Sequence, residues 1–329
     1  MLVSLTELMK DANEKGYAVG AFNATNLESL IAIIEAAEET GKGVILNHAE
    51  VHSSLIAIED IGPIMVEYAK KATVPVCVHL DHGTSLESCM NAIRLGFTSV
   101  MLDASGEDYE ANVRDTALIC RLAHSIGVTV EAELGHIFSS DIGVGEGAVQ
   151  ETLDSYGNAE DVYTDPDMAK DFVERTGVDA LAIAVGNAHG AYKLPPKLDF
   201  ERIRTIANTI DVPLVLHGGS GLTDNDFRQA IKEGISKVNI FTDINVAAVE
   251  AEFRKFSDMN KGIIDLIPAA VEAVKKLSSD VGIPADLKGI LKEEDIDFLA
   301  QSAMDDACRP GNPKDPTKED IIAIYKSLL

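Results

Sequence analysis

Three histidines close three separate strand-like runs: VPVCVHLDHG (Val74 to Gly83), ALAIAVGNAHG (Ala180 to Gly190) and VPLVLHGGSG (Val212 to Gly221). In each, an apolar, β-rich stretch stops at or just before His82, His189 or His217, and a glycine follows the histidine. Imidazoles gathered at strand ends suit a divalent metal, and the adjacent glycines let a ligand approach the backbone closely. Three histidines with an open position form the donor set of a catalytic zinc, which polarises a carbonyl or binds water. Asp81, one residue before His82, is placed to move a proton for whatever the metal holds. A lone histidine is more often structural, and His79 in HLDHG reads that way; three independent strand ends of one form are harder to dismiss. His48, His52, His124 and His136 lie outside these strand ends and receive no role. HGGSG (His217 to Gly221) and NIFTD (Asn239 to Asp243) add a second chemistry. Gly218, Gly219 and Ser220 offer unobstructed amides, and Asn239 and Thr242 add side-chain donors, so a phosphate is the expected guest.

Such residues need elements that bring them together. Short β-rich runs occur at Ala18 to Phe22, Gly43 to Asn47, Val74 to Leu80, Ser99 to Asp103, Thr129 to Leu134, Ala180 to Val185, Pro213 to His217 and Lys237 to Ile240. Between them lie helix-like stretches with spaced apolar positions, several ending in glycine. Strands alternating with helices predict a parallel sheet, and a count of eight favours closure into a (β/α)8 TIM barrel. An open doubly wound sheet is the rival, but no GxGxxG fingerprint follows the first strand. In a barrel the strand C-termini face one site, so His82, His189, His217, Asp81, Asp103 and Glu133 converge. The connection from Leu134 to Tyr163 is too long and glycine-rich for an ordinary turn and reads as a lid or substrate-binding segment. Past residue 270 the alternation stops, and VEAVKKLSSDVG, EEDIDFLAQSAMDDA and KEDIIAIYKSLL read as three helices. The expected organisation is a barrel domain over residues 1–270 and a C-terminal helical extension over 271–329.

Acidic side chains number 54 against 28 basic, a formal net charge of −26. That surface repels nucleic acid and anionic membranes, so neither is an expected partner, and an anionic substrate must be held by local backbone dipoles. Cys77, Cys89, Cys120 and Cys308 form no CxxC pair and read as buried thiols of a reducing compartment. No signal peptide or span of membrane length stands out, which makes a cytoplasmic location the expectation.

The motifs GYAVGAFN (Gly16 to Asn23), VHLDHG (Val78 to Gly83), GFTSVMLDAS (Gly96 to Ser105), VEAELG (Val130 to Gly135), YTDP (Tyr163 to Pro166), TGVDALAIAVGNAHGAYK (Thr176 to Lys193), VPLVLHGGSGL and GISKVNIFTD (Gly234 to Asp243) cover nearly every barrel strand. With them, residues 1 to about 275 resemble class II, zinc-dependent ketose-bisphosphate aldolases of the fructose-1,6-bisphosphate and tagatose-1,6-bisphosphate type. The resemblance implies zinc on His82, His189 and His217, with Asp103 and Glu133 at a second or alternative metal site. It implies that Asp81 handles the C4 hydroxyl proton. It also implies that Gly190, Gly218, Gly219 and Ser220, with Asn239, Ile240, Phe241 and Thr242, contact the dihydroxyacetone-phosphate half and a monovalent cation. A phosphorylated ketose (fructose 1,6-bisphosphate first), a place in carbohydrate metabolism such as glycolysis, and a homodimer or homotetramer follow from the same resemblance.

The chemistry agrees with it. Cleaving a carbon–carbon bond beside a carbonyl needs an electron sink; no lysine stands at the C-terminal end of an inner strand to form a Schiff base, whereas zinc supplies the sink. Three departures stand out. The loop GHIFSSDIGVGEG lacks the usual GGxED pattern, leaving Glu146 or Asp141 to move the second proton. Ala49 in ILNHAEV stands where many relatives carry a substrate-contacting serine, which opens the sugar preference, tagatose bisphosphate and other phosphorylated ketoses included. Residues from about 270 resemble the helical end of iron-dependent alcohol dehydrogenases without their nucleotide-binding half, and imply helices only. A zinc hydrolase would carry an HxH pair on the first strand, where AFN stands; a binding protein that has lost turnover is the non-enzyme alternative.

Overall fold

A computed structural model of the chain describes residues 1–139, 162–190, 197–259, 293–304 and 317–327. Ser4 and Glu7 form a reciprocal capping box that starts α1 (Leu5–Lys15). Leu5, Leu8, Met9 and Ala12 lie buried on one face of that helix. They pack against Val19, Ala21, Ile45, Cys77, Ala180, Ala182 and Val215, the inward side chains of several strands. Neighbouring bonds go to strand beginnings: Val3 N–H donates to the Val76 carbonyl at 2.9 Å, and Leu5 N–H to Thr129 Oγ1 at 3.3 Å. Helix α1 thus stoppers the amino-terminal end of the barrel.

The barrel strands are β1 (Val19–Asn23), β2 (Val44–Ala49), β3 (Val76–Gly83), β4 (Ser99–Leu102), β5 (Thr129–Leu134), β7 (Ala180–Ile183), β9 (Leu214–Leu216) and β10 (Ile235–Ile240). They close in the order β1-β10-β9-β7-β5-β4-β3-β2 with every neighbour parallel. Helices α2 (Leu27–Thr40), α3 (Ile58–Lys71), α4 (Leu86–Arg94), α5 (Tyr109–His124), α6 (Pro166–Thr176), α7 (Phe200–Ala207) and α8 (Asp224–Glu233) separate successive strands. Alternation explains the two cores. On β2, Val44 and Leu46 join the larger cluster under the helices, while Ile45 joins the inner one. The expected (β/α)8 barrel is the architecture of this unit.

Two strands differ from expectation at their ends. β3 continues to Gly83, three residues beyond Leu80. The run ALAIAVGNAHG breaks: β7 stops at Ile183, Gly186 turns the chain at φ 95°, and His189 sits on a separate short strand, β8 (Ala188–His189). β8 pairs in parallel with β6 (Phe138–Ser139), so the beginning of the long β5 connection lies alongside His189.

Contacts divide the chain into Met1–Val249 and Glu250–Leu329. The expected boundary at residue 270 lies outside the described residues, as does the first expected tail helix. The second unit contains α10 (Ile296–Met304) and α11 (Lys318–Ser327), joined by a 3.0 Å ion pair between Lys318 and Asp297. Helix α9 (Thr242–Met259) runs across the division. Among the described residues no helix is long and apolar enough to cross a membrane. Cys77, Cys89 and Cys120 are free and buried, and burial pushes each thiol up to about 12, so none is a ready nucleophile.

Candidate active site and metal centre

Strand β3 sends Cys77, His79 and Asp81 inward by alternation, which would turn His82 away from the bore. The backbone prevents this. His82 adopts φ 44°, the only positive φ at a non-glycine among the described residues, and the ladder to β4 slips between Leu80 and Gly83. A left-handed non-glycine residue costs on the order of 1–3 kcal/mol and persists only where its surroundings hold it. Here the slip lets consecutive side chains, Asp81 and His82, face the same mouth. Gly83 has a steric reason as well: a β-carbon would lie 2.7 Å from the Met101 carbonyl oxygen on β4.

Two of the imidazoles are held by carboxylates on opposite ring nitrogens. His82 Nδ1 lies 2.7 Å from Asp103 Oδ2, which leaves Nε2 as the outward lone pair. His217 does the reverse, with Nε2 2.9 Å from Glu131 Oε1 and Nδ1 left over. The two leftover nitrogens face each other at 2.8 Å. His189 stands edge-on to His82 with ring centroids 4.9 Å apart, and the candidate ligand atoms of His82, His189 and His217 all lie within 4.8 Å of one another. Burial, then the neighbouring His82, holds His189 and His217 below the ordinary imidazole pKa, which keeps them neutral donors. Three neutral nitrogens converging on one point fit a borderline-soft divalent cation. His82, Asp103 and Glu133 form a second group with the same spread. Ser105 Oγ donates to both carboxylates, at 2.7 Å to Asp103 and 3.2 Å to Glu133. Glu133 Oε2 is buried without a hydrogen-bond partner among the described residues. Burial, then the Asp103 charge, pushes Glu133 well above the usual carboxylate range, so an added cation would relieve a real penalty there.

Asp81 is fully enclosed and doubly tied: Asn23 Nδ2 donates to Oδ2 at 3.0 Å and Asn239 Nδ2 to Oδ1 at 2.9 Å. Its Oδ1 lies 4.0 Å from His82 Nε2. Burial raises its pKa, and the positive charge that His82, His217 and Lys237 carry when protonated lowers it below the usual carboxylate range. Asn23, Asp81, His82, His189 and Asn239 line a cavity of about 320 Å³ that also takes in Gly190, Gly218 and Ser220. At its other wall Ser220 Oγ accepts from the Phe241 and Asp243 amides at 3.3 and 3.2 Å, at the start of α9.

A family model of class-II fructose-bisphosphate aldolases matches residues 3–282. The chain belongs to that family. It is 40% identical over 285 residues to the uncharacterized protein YdjI of Escherichia coli K12, covering 85% of this chain and 99% of that protein. It is 43% identical over 256 residues to a probable fructose-bisphosphate aldolase of Bacillus subtilis, covering 76% and 85% of the two chains. The crystal structure of the YdjI aldolase matches with a TM-score of 0.66 at 41% identity, over 76% of this chain and 85% of that one.

Within this aldolase barrel, His82, His189, His217, Asp81, Asp103 and Glu133 come together at one mouth, and Gly190, Gly218, Ser220, Asn239, Ile240, Phe241 and Thr242 line the same cavity. Gly219 sits directly behind it, where a β-carbon would lie 2.7 Å from the Asn239 carbonyl oxygen. Glu146 and its rival Asp141 lie outside the described residues. His52 was given no role from sequence, yet it lines the cavity and stacks on Phe241 with ring centroids 4.2 Å apart. Asn23 and Asn187 were also missed; Asn187 Nδ2 donates to the His217 carbonyl at 3.1 Å and ties the β7 turn to the end of β9.

Gly218 combines φ 63° with a virtual β-carbon 2.0 Å from the Ala188 carbonyl oxygen. Gly218→Ala is therefore expected to cost roughly 1–3 kcal/mol from the left-handed backbone alone, and to push Ala188 and His189 out of place. Thermal melting and zinc titration of this variant check it; wild-type values for both would contradict the close approach.

Proposed function

We propose that this chain catalyses the reversible, zinc-dependent aldol cleavage of a ketose bisphosphate, fructose 1,6-bisphosphate in the first instance, to dihydroxyacetone phosphate and an aldehyde phosphate. The observation that carries the reading is the Asp81 carboxylate, fixed by two amide donors and 4.0 Å from His82 Nε2, in a cavity lined by His82 and His189 with His217 beside them. Family membership supports the reaction type.

In this reading His82, His189 and His217 hold the zinc, and Asp103 and Glu133 offer an alternative seat. When bound, the ion withdraws electron density from the ketose carbonyl, worth several kcal/mol of charge stabilisation. Asp81 takes the C4 hydroxyl proton as the bond breaks and returns it in condensation. Asn23 and Asn239 hold it against rotation, so the proton moves along one direction. Among the described residues the cavity lining has no lysine or arginine, so the substrate's phosphate relies on backbone amides. Gly190 and Gly218 fit that task beside the positive end of α9, and Ser220 Oγ, which accepts from the Phe241 and Asp243 amides, keeps its own O–H to donate. Glu146 is assigned the second proton transfer. A homodimer or homotetramer and a helical tail beyond residue 270 that packs or assembles belong to the same proposal.

Cleavage of fructose 1,6-bisphosphate and tagatose 1,6-bisphosphate, each with and without a chelator, tests this. Activity lost to the chelator and restored by zinc is expected. Activity indifferent to chelation overturns the metal role, and silence of the zinc-loaded protein towards both sugars favours a binding protein on the same barrel.

A further inference from the structure

Inside the barrel lies a buried ion pair, neither member of which lines the cavity. Lys237 of β10 is fully buried, and its Nζ lies 2.6 Å from Glu131 Oε2 on β5. The other oxygen of Glu131 meets His217 Nε2 at 2.9 Å. The His79 ring nitrogen Nε2 stands 3.8 Å from Glu131 Oε2, and His79 Nδ1 is engaged by Ser99 Oγ at 2.8 Å. One carboxylate thus joins an ammonium to a candidate metal ligand, entirely out of water.

We propose that Glu131 and Lys237 are a positioning pair that locks His217 in the tautomer protonated at Nε2, so that it presents Nδ1 to the metal, and thereby sets metal affinity. A carboxylate accepting the outer N–H of a ligand fixes the ring and raises its basicity. The ammonium at 2.6 Å holds the other oxygen, so Glu131 cannot turn away from His217. His82, whose Nδ1 is taken by Asp103, presents the opposite nitrogen, and the two remaining nitrogens, His82 Nε2 and His217 Nδ1, lie 2.8 Å apart. The inference rests on the reading of His82, His189 and His217 as zinc ligands.

The test uses the full chain. Zinc affinity is measured by competition with a chelator for wild type, Glu131→Gln and the double variant Glu131→Gln/Lys237→Met, each alongside its melting temperature without metal. The neutral amide is expected to weaken zinc binding about 10- to 100-fold. The double variant, with no lone buried charge, is expected to melt closer to wild type than Glu131→Gln and still bind zinc weakly. Wild-type affinity in either variant overturns the inference, because it would leave the pair a purely structural role. Should neither variant fold, long-range proton–nitrogen NMR of histidine-labelled, zinc-loaded wild type decides: a His217 proton on Nε2 supports the pair's role, and zinc on Nε2 refutes it. Wild type that binds no zinc at all removes the ligand reading itself, and this inference with it.

Discussion

Replacing Asp81 by alanine is expected to lower kcat about 100- to 10,000-fold, the usual weight of a positioned acid/base. Each of its oxygens accepts one amide donor, from Asn23 and Asn239, and keeps a lone pair in the cavity it shares with His82. The zinc content is expected to stay that of wild type, because the nitrogen trio does not include Asp81. Steady-state kinetics together with metal analysis separate the two effects. Turnover within tenfold of wild type would take the C4 proton away from Asp81. Metal loss in parallel with activity would instead make it a support of the ligand cluster. Asp81→Asn is the companion that preserves volume, and it should be equally slow.

The second large effect is expected in stability. Lys237→Met strands the Glu131 carboxylate in the bore, and removing one partner of a buried ion pair costs about 3–5 kcal/mol. For a barrel of this size that corresponds to a melting temperature lower by roughly 6–20 °C. Burial pushes Glu131 up, but Lys237 first and His217 next outweigh it and hold the carboxyl at about 2. A depressed carboxylate contributes stability that is complete above its unfolded pKa and fades as pH falls towards the folded one. The deficit of the variant should therefore be full at neutral pH and shrink on acidification from about 4.5 towards about 2. Melting curves between pH 7 and the lowest pH at which the wild type stays folded read this directly. A deficit that does not change with pH would mean lost packing rather than lost charge.

Much of the barrel was legible because parallel strands announce themselves: Val-, Ile- and Leu-rich runs separated by amphipathic helices admit few alternatives, and all eight runs proved to be barrel strands. The histidine cluster was legible for a related reason, since strand ends in such a barrel share one mouth and the adjacent glycines marked them. The interior polar network was harder to see. In VEAELG the strand end places Glu133 at the mouth, but Glu131 sits among small apolar residues in a pattern that equally describes a half-exposed strand; closure of the sheet turns it inward as well. Lys237 looked like the polar start of a strand, whereas β10 begins two residues earlier and carries it into the bore. His52 gave no local sign at all, because its partner Phe241 lies far away in the chain. The single run expected to end at His189 concealed a turn at Gly186, where the positive φ forbids a continuous strand.

The helical stopper α1 has one more implication. With Leu5, Leu8, Met9 and Ala12 packed against the inner side chains, the far end of the barrel is filled among the described residues. A guest of the histidine cluster therefore reaches it from the carboxyl ends of the strands, the side opposite α1.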